Sequence, residues 1–256
     1  KNHRPPSPSK RPSKLETRKL ALFHDPFTNY NTPEVGIAAV ELFEAAGFEV
    51  IWPGHQSDGR PYISKGLVEE ARAAADDTLT HLAPIARQGI PIVGLEPSSL
   101  LTLRDDYFYL MANDERVPVV ADHAYTFEEF MAQLADEDQL DLNFTDEKRQ
   151  ILLHGHCHQK ALVGTAPAHR TLSLPPNYTV SEVDSSCCGM AGSFGYEAEH
   201  YEISIKMAER RLLPAVREAD DKTIIVAAGT SCRQQIKHGT ERQALHPAQV
   251  LRAAMI

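Results

Sequence analysis

The chain has 256 residues, 42% of them hydrophobic, and a formal net charge of −9. That length suits one large domain or two small ones, and the acidic balance argues against general nucleic-acid binding. The longest apolar runs fall far short of a transmembrane segment, no secretory signal is legible, and four cysteines do not make a disulfide scaffold.

Residues 1–16, KNHRPPSPSKRPSKLE, are rich in Pro, Ser and basic side chains. They read as a flexible, solvated linker, and the missing initial Met suggests a piece of a longer protein. Strand-like runs then alternate with helical ones. The expected strands are Lys19–Phe23, Phe48–Trp52, Ile92–Leu95, Val117–Ala121, Ile151–His154, Tyr178–Val183 and Thr223–Ala228. Between them, Pro33 suits a first helical position. Val35, Ala38, Leu42 and Ala45 follow at helical spacing, and Gly47 is the stop. Lys65–Arg87 and Glu199–Ala219 read as helices, the second with a stripe of Ile205, Ala208, Leu212, Ala215 and Val216. The acidic stretch Asp136–Asp146 reads as a solvated loop. This order predicts an α/β protein with mainly parallel sheets flanked by helices.

The two halves overlay. ALFHDPFT at 21–28 matches ILLHGHCH at 151–158, and HQSDG at 55–59 matches SSCCG at 185–189, both at an offset of 130 residues. IVGLEPSSLL at 92–101 matches IVAAGTSCRQ at 225–234 at an offset of 133. The expectation is therefore two tandem repeats: a degenerate one over 17–145 and one with all the cysteines over 146–256. Cys157, Cys187, Cys188 and Cys232 correspond to Phe27, Ser57, Asp58 and Ser99 in the first half.

Each cysteine falls at or just after the C-terminal end of an expected strand, where open parallel sheets form one crevice. The thiols have three readings. They are inert fillers, or ligands of zinc with one of His154, His156 or His158, or ligands of an iron–sulfur cluster, whose several irons suit the adjacent Cys187 and Cys188. Gly189, Gly192 and Gly195 follow the pair and would let backbone approach a cofactor closely. If the strand continued through HGHCH, His154, His156 and His158 would share one face, with Cys157 on the other. His24, at the position of His154, reads as structural. Lys160 and Arg233 border cysteines and either offset their negative charge or are solvated. Ser57 and Asp58 lack the surroundings of a hydrolase site, and no flavin or nicotinamide fingerprint is legible.

HGHCHQKAL, SSCCGMAGSFGYE and AAGTSCRQQI resemble the cysteine-rich CCG domains of heterodisulfide reductase, the glycolate oxidase iron–sulfur subunit and lactate-utilisation proteins. The nearest resemblance is to the C-terminal part of FAD-linked oxidases of the D-2-hydroxyglutarate and D-lactate dehydrogenase type, and it covers about 18–252. It implies an iron–sulfur cluster, of 4Fe–4S or noncubane type, or zinc in some members. Cys157, Cys187, Cys188 and Cys232 would be the metal ligands. From their own positions, Gly189, His156 and His158 read as contacting the bound group without ligating it, the histidines otherwise being polar residues of a strand-end loop. The resemblance also implies electron relay from FAD, held on a separate dehydrogenase domain or subunit, with a ferredoxin-like iron–sulfur domain as a further partner. The setting would be cytoplasmic, with membrane association only through partners.

This chain alone would then carry no catalytic residue and no independent turnover. Two departures stand out. The first half has Ser57-Asp58-Gly59 and Ser99 where relatives often have cysteine. SCRQ lacks a final CxxC cysteine, which leaves four thiolate ligands at most. The rival functions are a zinc-binding or metal-free docking module and a thiol–disulfide catalyst using Cys187 and Cys188.

Overall fold

In a computed structural model, residues 18–256 are described; the linker expected over 1–16 lies outside them. Eight strands form two sheets. They are β1 (Arg18–Phe23), β2 (Phe48–Ile51), β3 (Ile92–Gly94), β4 (Ala124–Thr126), β5 (Arg149–His154), β6 (Tyr178–Glu182), β7 (Ile224–Ala227) and β8 (Ala244–Leu245). The sheet orders are β2-β1-β3-β4 and β6-β5-β7-β8, and every pairing is parallel. The fold is α/β, and the same strand order appears in both halves. The central strands of each sheet are paired on both sides. Ala21 pairs with Ile51 and Ile92, and Ile151 pairs with Val180 and Ile224.

Both faces of these strands are covered, which is why they read as apolar runs rather than as alternation. In β1, Leu20 and Leu22 join one core with the helix Pro33–Ala45, while Ala21 and Phe23 join another with the helix Val68–Ala86. Each fully buried Leu or Phe contributes about 1.5–3 kcal/mol. The last helix, Pro247–Ala254, leaves the second sheet and packs on Pro33–Ala45, placing Ala248 and Leu251 in the first half's core. The helix Phe127–Asp136 makes the reciprocal contact with Ala166–Leu172. Residues 137–148 form the irregular connection expected around the acidic stretch, and Phe144 bridges to Met255.

Three expectations are corrected. Val117–Ala121 belongs to a helix, Arg116–Ala121, and the strand follows at Ala124–Thr126. The β-branched run suggested a strand, but Val117 and Val120 are buried at i, i+3 spacing and Pro118 sits in the first turn, where no N–H is required. Glu199–Ala219 is not one helix but two, Tyr201–Glu209 and Leu212–Glu218. Pro214 has no N–H to give and its ring would meet the carbonyl of Arg210, so the first helix stops there. Finally, β5 ends at His154, and a helix, Cys157–Leu162, begins three residues later. The three histidines therefore do not share one strand face.

Candidate metal centre

The four thiols come from three strand ends. Cys157 is the first residue of the helix after β5. Cys187 and Cys188 lie in the loop after β6. Cys232 lies in the first turn of the helix Thr230–Thr240, after β7. All four are free thiols. They adjoin in the order Cys157, Cys187, Cys188, Cys232, each within hydrogen-bonding reach of the next. Cys188 and Cys232 are buried, and Cys157 and Cys187 are half-buried.

Electrostatics within the chain of thiols favour thiolate formation. Donation from Cys157 and Cys188 pulls the Cys187 thiol far below its ordinary value. Donation from Cys188, with His154 nearby, does the same for Cys232. Cys157 and Cys188 move up in return, because each keeps its proton as hydrogen-bond donor to a neighbouring sulfur and is desolvated. Cys157 and Cys232 also sit in first turns of helices, where unpaired N–H groups stabilise negative charge. Gly189 N donates to Cys187 Sγ at 3.3 Å.

Gly189 is required for two reasons. Its φ is +94°, and a Cβ there would stand 2.1 Å from the Ser204 carbonyl oxygen. Gly229 likewise has no room for a side chain, since a Cβ would meet the His156 ring at 2.4 Å. The residues around the vicinal pair are therefore glycine for steric reasons, and the loop is held down by Gln235, which donates to Cys188 O at 3.1 Å and Ser204 Oγ at 3.0 Å.

The histidines have three different roles. His154 is buried at the end of β5, its Nδ1 2.8 Å from Ser185 Oγ, and its Nε2 has no hydrogen-bond partner among the described residues. His156 is buried and caps the next helix, its Nδ1 accepting from His158 N at 3.3 Å. Its Nε2 stands 3.9 Å from Glu96. His158 turns toward Asp105 and Asp106 of the first half, and burial lowers its pKa. Of the bordering cations, Arg233 is buried and its guanidinium donates to Ala227 O, Thr230 Oγ1 and Thr32 Oγ1. Lys160 donates to Ser185 O and lies 3.8 Å from Glu182.

A cavity of about 630 Å³ lies beside the thiols and between the halves. Cys157 and Cys188 of the second half and Phe27, Arg60, Lys65 and Glu96 of the first all line it. Equivalent positions of the two repeats both line it: Phe27 and Cys157, Pro61 and Ala191, Ser98 and Ser231. In the first half Asp58 and Ser99, the counterparts of Cys188 and Cys232, are fully buried, and burial pushes the Asp58 carboxyl up. Asp58 Oδ1 accepts from Arg60 N at 2.8 Å, and its own carbonyl accepts from Tyr107 at 2.9 Å.

Glu96 was not singled out by sequence reasoning. It follows β3 in the first half, is buried, and accepts from Thr230 N of the second half at 2.7 Å. It thereby caps the helix that carries Cys232. The repeat alignment pairs it with Gly229, which has no side chain, so internal comparison gives no signal for it.

The donor chemistry fits a thiophilic metal or cluster. Four sulfurs converge, two are disposed to ionise, and a buried imidazole nitrogen beside them lacks a partner. Among the described residues, no helix is long and apolar enough to cross a membrane.

No protein-family model matches the chain. Among curated proteins it is similar to D-2-hydroxyglutarate dehydrogenase of Escherichia coli (strain K12), 27% identical over 237 residues, covering 92% of this chain and 22% of the relative. A component of the anaerobic glycerol-3-phosphate dehydrogenase of the same strain is 25% identical over 241 residues, covering 93% and 59%. Lactate utilization protein A of Macrococcus caseolyticus (strain JCSC5402) is 27% identical over 251 residues, covering 91% and 96%. The chain thus spans less than a quarter of the first relative and about three-fifths of the second. Two of these names coincide with protein types that the motifs resemble, and the similarity is to oxidoreductases.

Proposed function

We propose that this chain is the iron–sulfur electron-transfer part of a flavin-linked dehydrogenase that oxidises a 2-hydroxy acid or a similar alcohol. The observation that carries the reading is the convergence of Cys157, Cys187, Cys188 and Cys232 from three strand ends on one place. Similarity to D-2-hydroxyglutarate dehydrogenase and lactate utilization protein A supports the reaction class.

Cys157, Cys187, Cys188 and Cys232 would hold the cluster. When bound, the cluster supplies a centre that accepts and releases single electrons, which zinc cannot do. The residues of the chain do the rest. Adjacent thiolates from Cys187 and Cys188 are suited to different irons. Gly189 and Gly229 let the backbone close around the group, and His156 orders the helix behind Cys157. His156 and His158 both line the cavity beside the group. Arg233, buried next to Cys232, offsets part of the negative charge that thiolates and cluster bring.

The degenerate half lines part of the cavity and, through Glu96, supports the helix of Cys232. FAD resides on a separate domain or subunit, and electrons pass between it and the sulfur site. A reducing, cytoplasmic compartment keeps the four thiols free. Residues 17–145 and 146–256 act as one unit rather than as two separable modules.

The test is a redox titration of anaerobically purified protein, followed by visible absorption. The reading expects broad charge-transfer absorption that bleaches reversibly with dithionite. Protein that carries zinc, or that stays colourless after reconstitution with iron and sulfide, would leave only the docking-module reading.

A further inference from the structure

The ring of His154 stands among sulfurs, and half of its hydrogen-bonding capacity is unused. His154, Cys188 and Cys232 are all at most 2% exposed. A ring nitrogen of His154 and the two Sγ atoms lie within 4.8 Å of one another. Nδ1 is committed to Ser185 Oγ at 2.8 Å. Nε2 is the nitrogen left over: it makes no hydrogen bond of ordinary geometry, although Cys232 lies close enough for the ring to lower its pKa. A buried polar atom without a partner costs free energy, and in a folded protein it generally marks a group that something else completes.

We propose that His154 Nε2 is a metal ligand, binding the same centre as Cys188 and Cys232. The inference rests on the reading that a metal occupies the sulfur site. Three features support it. In one tautomer Nδ1–H donates to the Ser185 hydroxyl, which leaves the Nε2 lone pair free, as a ligating imidazole requires. The Ser185 loop is itself anchored, because Lys160 donates to Ser185 O, so the ring orientation is fixed before any metal arrives. The other histidines are otherwise engaged. His156 Nδ1 caps a helix and its Nε2 faces Glu96, and His158 faces Asp105 and Asp106.

Together with the four thiolates, His154 would make five donors. The position three residues after Cys232 is Gln235, whose amide is bonded to Cys188 O and Ser204, so it contributes nothing to the centre. The fifth donor comes instead from the end of β5. In the first half the equivalent pair, His24 and His55, stacks ring on ring at 4.1 Å instead of making a hydrogen bond, and all four thiols belong to the other half. The His–Ser pairing thus accompanies the thiols.

The test is direct spectroscopy of the bound metal. For a reduced iron–sulfur cluster, pulsed EPR on protein with natural and ¹⁵N-labelled histidine should show a ligand nitrogen that changes with the label. For zinc, X-ray absorption should show a nitrogen shell beside sulfur. The nitrogen signal should be lost in His154→Gln and kept in His156→Gln and His158→Gln. If His154→Gln does not fold, the labelled wild type together with the other two variants assigns the residue by elimination.

Sulfur-only coordination in an iron-loaded protein would overturn the assignment and leave the cluster reading intact; His154 would then donate Nε2–H to Cys232. Zinc with a nitrogen ligand would keep His154 and overturn the cluster. A protein that takes up neither metal overturns both.

Discussion

Replacing Glu96 by alanine removes a carboxylate that joins the first half to the helix of Cys232. In the native chain Glu96 Oε2 accepts from Thr230 N at 2.7 Å, and Oε1 accepts from Ser98 Oγ at 2.8 Å and Ser98 N at 3.3 Å. A hydrogen bond to a charged group contributes about 1.5–3 kcal/mol, and the cost lies toward the upper end where, as here, the buried Thr230 N is left without a partner. Part of this is offset: burial, and after it the Glu96 charge, pushes the Asp25 carboxyl up, and removing Glu96 relieves the second of these. The expected net loss therefore falls within about 1.5–3 kcal/mol for Glu96→Ala. For Glu96→Gln, which keeps an acceptor for Thr230 N, it is about 1 kcal/mol. Urea denaturation of the metal-free chain, followed by circular dichroism, reads both values if the slope is unchanged. A loss under about 0.5 kcal/mol for Glu96→Ala would refute the claim that this contact holds the two halves in register.

Glu128 gives a pH-dependent test. It is fully buried, neither carboxylate oxygen has a partner among the described residues, and burial pushes its pKa from 4.5 up to about 7. The folded chain keeps this proton where the unfolded chain has lost it, so stability falls as pH rises from about 4.5 to about 7, by about 3 kcal/mol in total. Glu128→Gln should flatten that slope and gain stability at pH 8; parallel wild-type and variant profiles would rule the explanation out. Gly189→Ala should displace the loop of the vicinal pair, since the new Cβ would lie 2.1 Å from Ser204 O, and should cut bound metal by more than half. Gly164→Ala is the control: its φ is +84° but nothing lies within 4 Å of the added Cβ, so only about 1 kcal/mol of backbone strain and no metal loss is expected. Equal metal content in the two variants would show that Gly189 does not shape the site.

The central strands were legible because β1, β5 and β7 are short apolar runs with turn residues after them. Their parallel pairing followed from the intervening helices. The repeat was legible through its offsets, and it located the thiols at equivalent strand ends. Elements whose character depends on distant partners were not legible. Val117 and Val120 are β-branched yet helical, because they pack on Val68–Ala86. β8 has two residues, too few for any periodicity. The turn after His154 broke the expected alternation, and the separate roles of the three histidines follow from it. Glu96 lies 134 residues from the amide it caps, a separation that no local pattern encodes.

The central claim is that four cysteines from three strand ends hold one redox-active iron–sulfur centre. Iron and acid-labile sulfide, quantified together on anaerobically purified wild type and Cys188→Ser, test it most directly. The account requires both elements in the wild type, in comparable amounts, and a severe loss of both in the variant. Iron content unchanged by Cys188→Ser, or zinc in place of iron in the wild type, would contradict it.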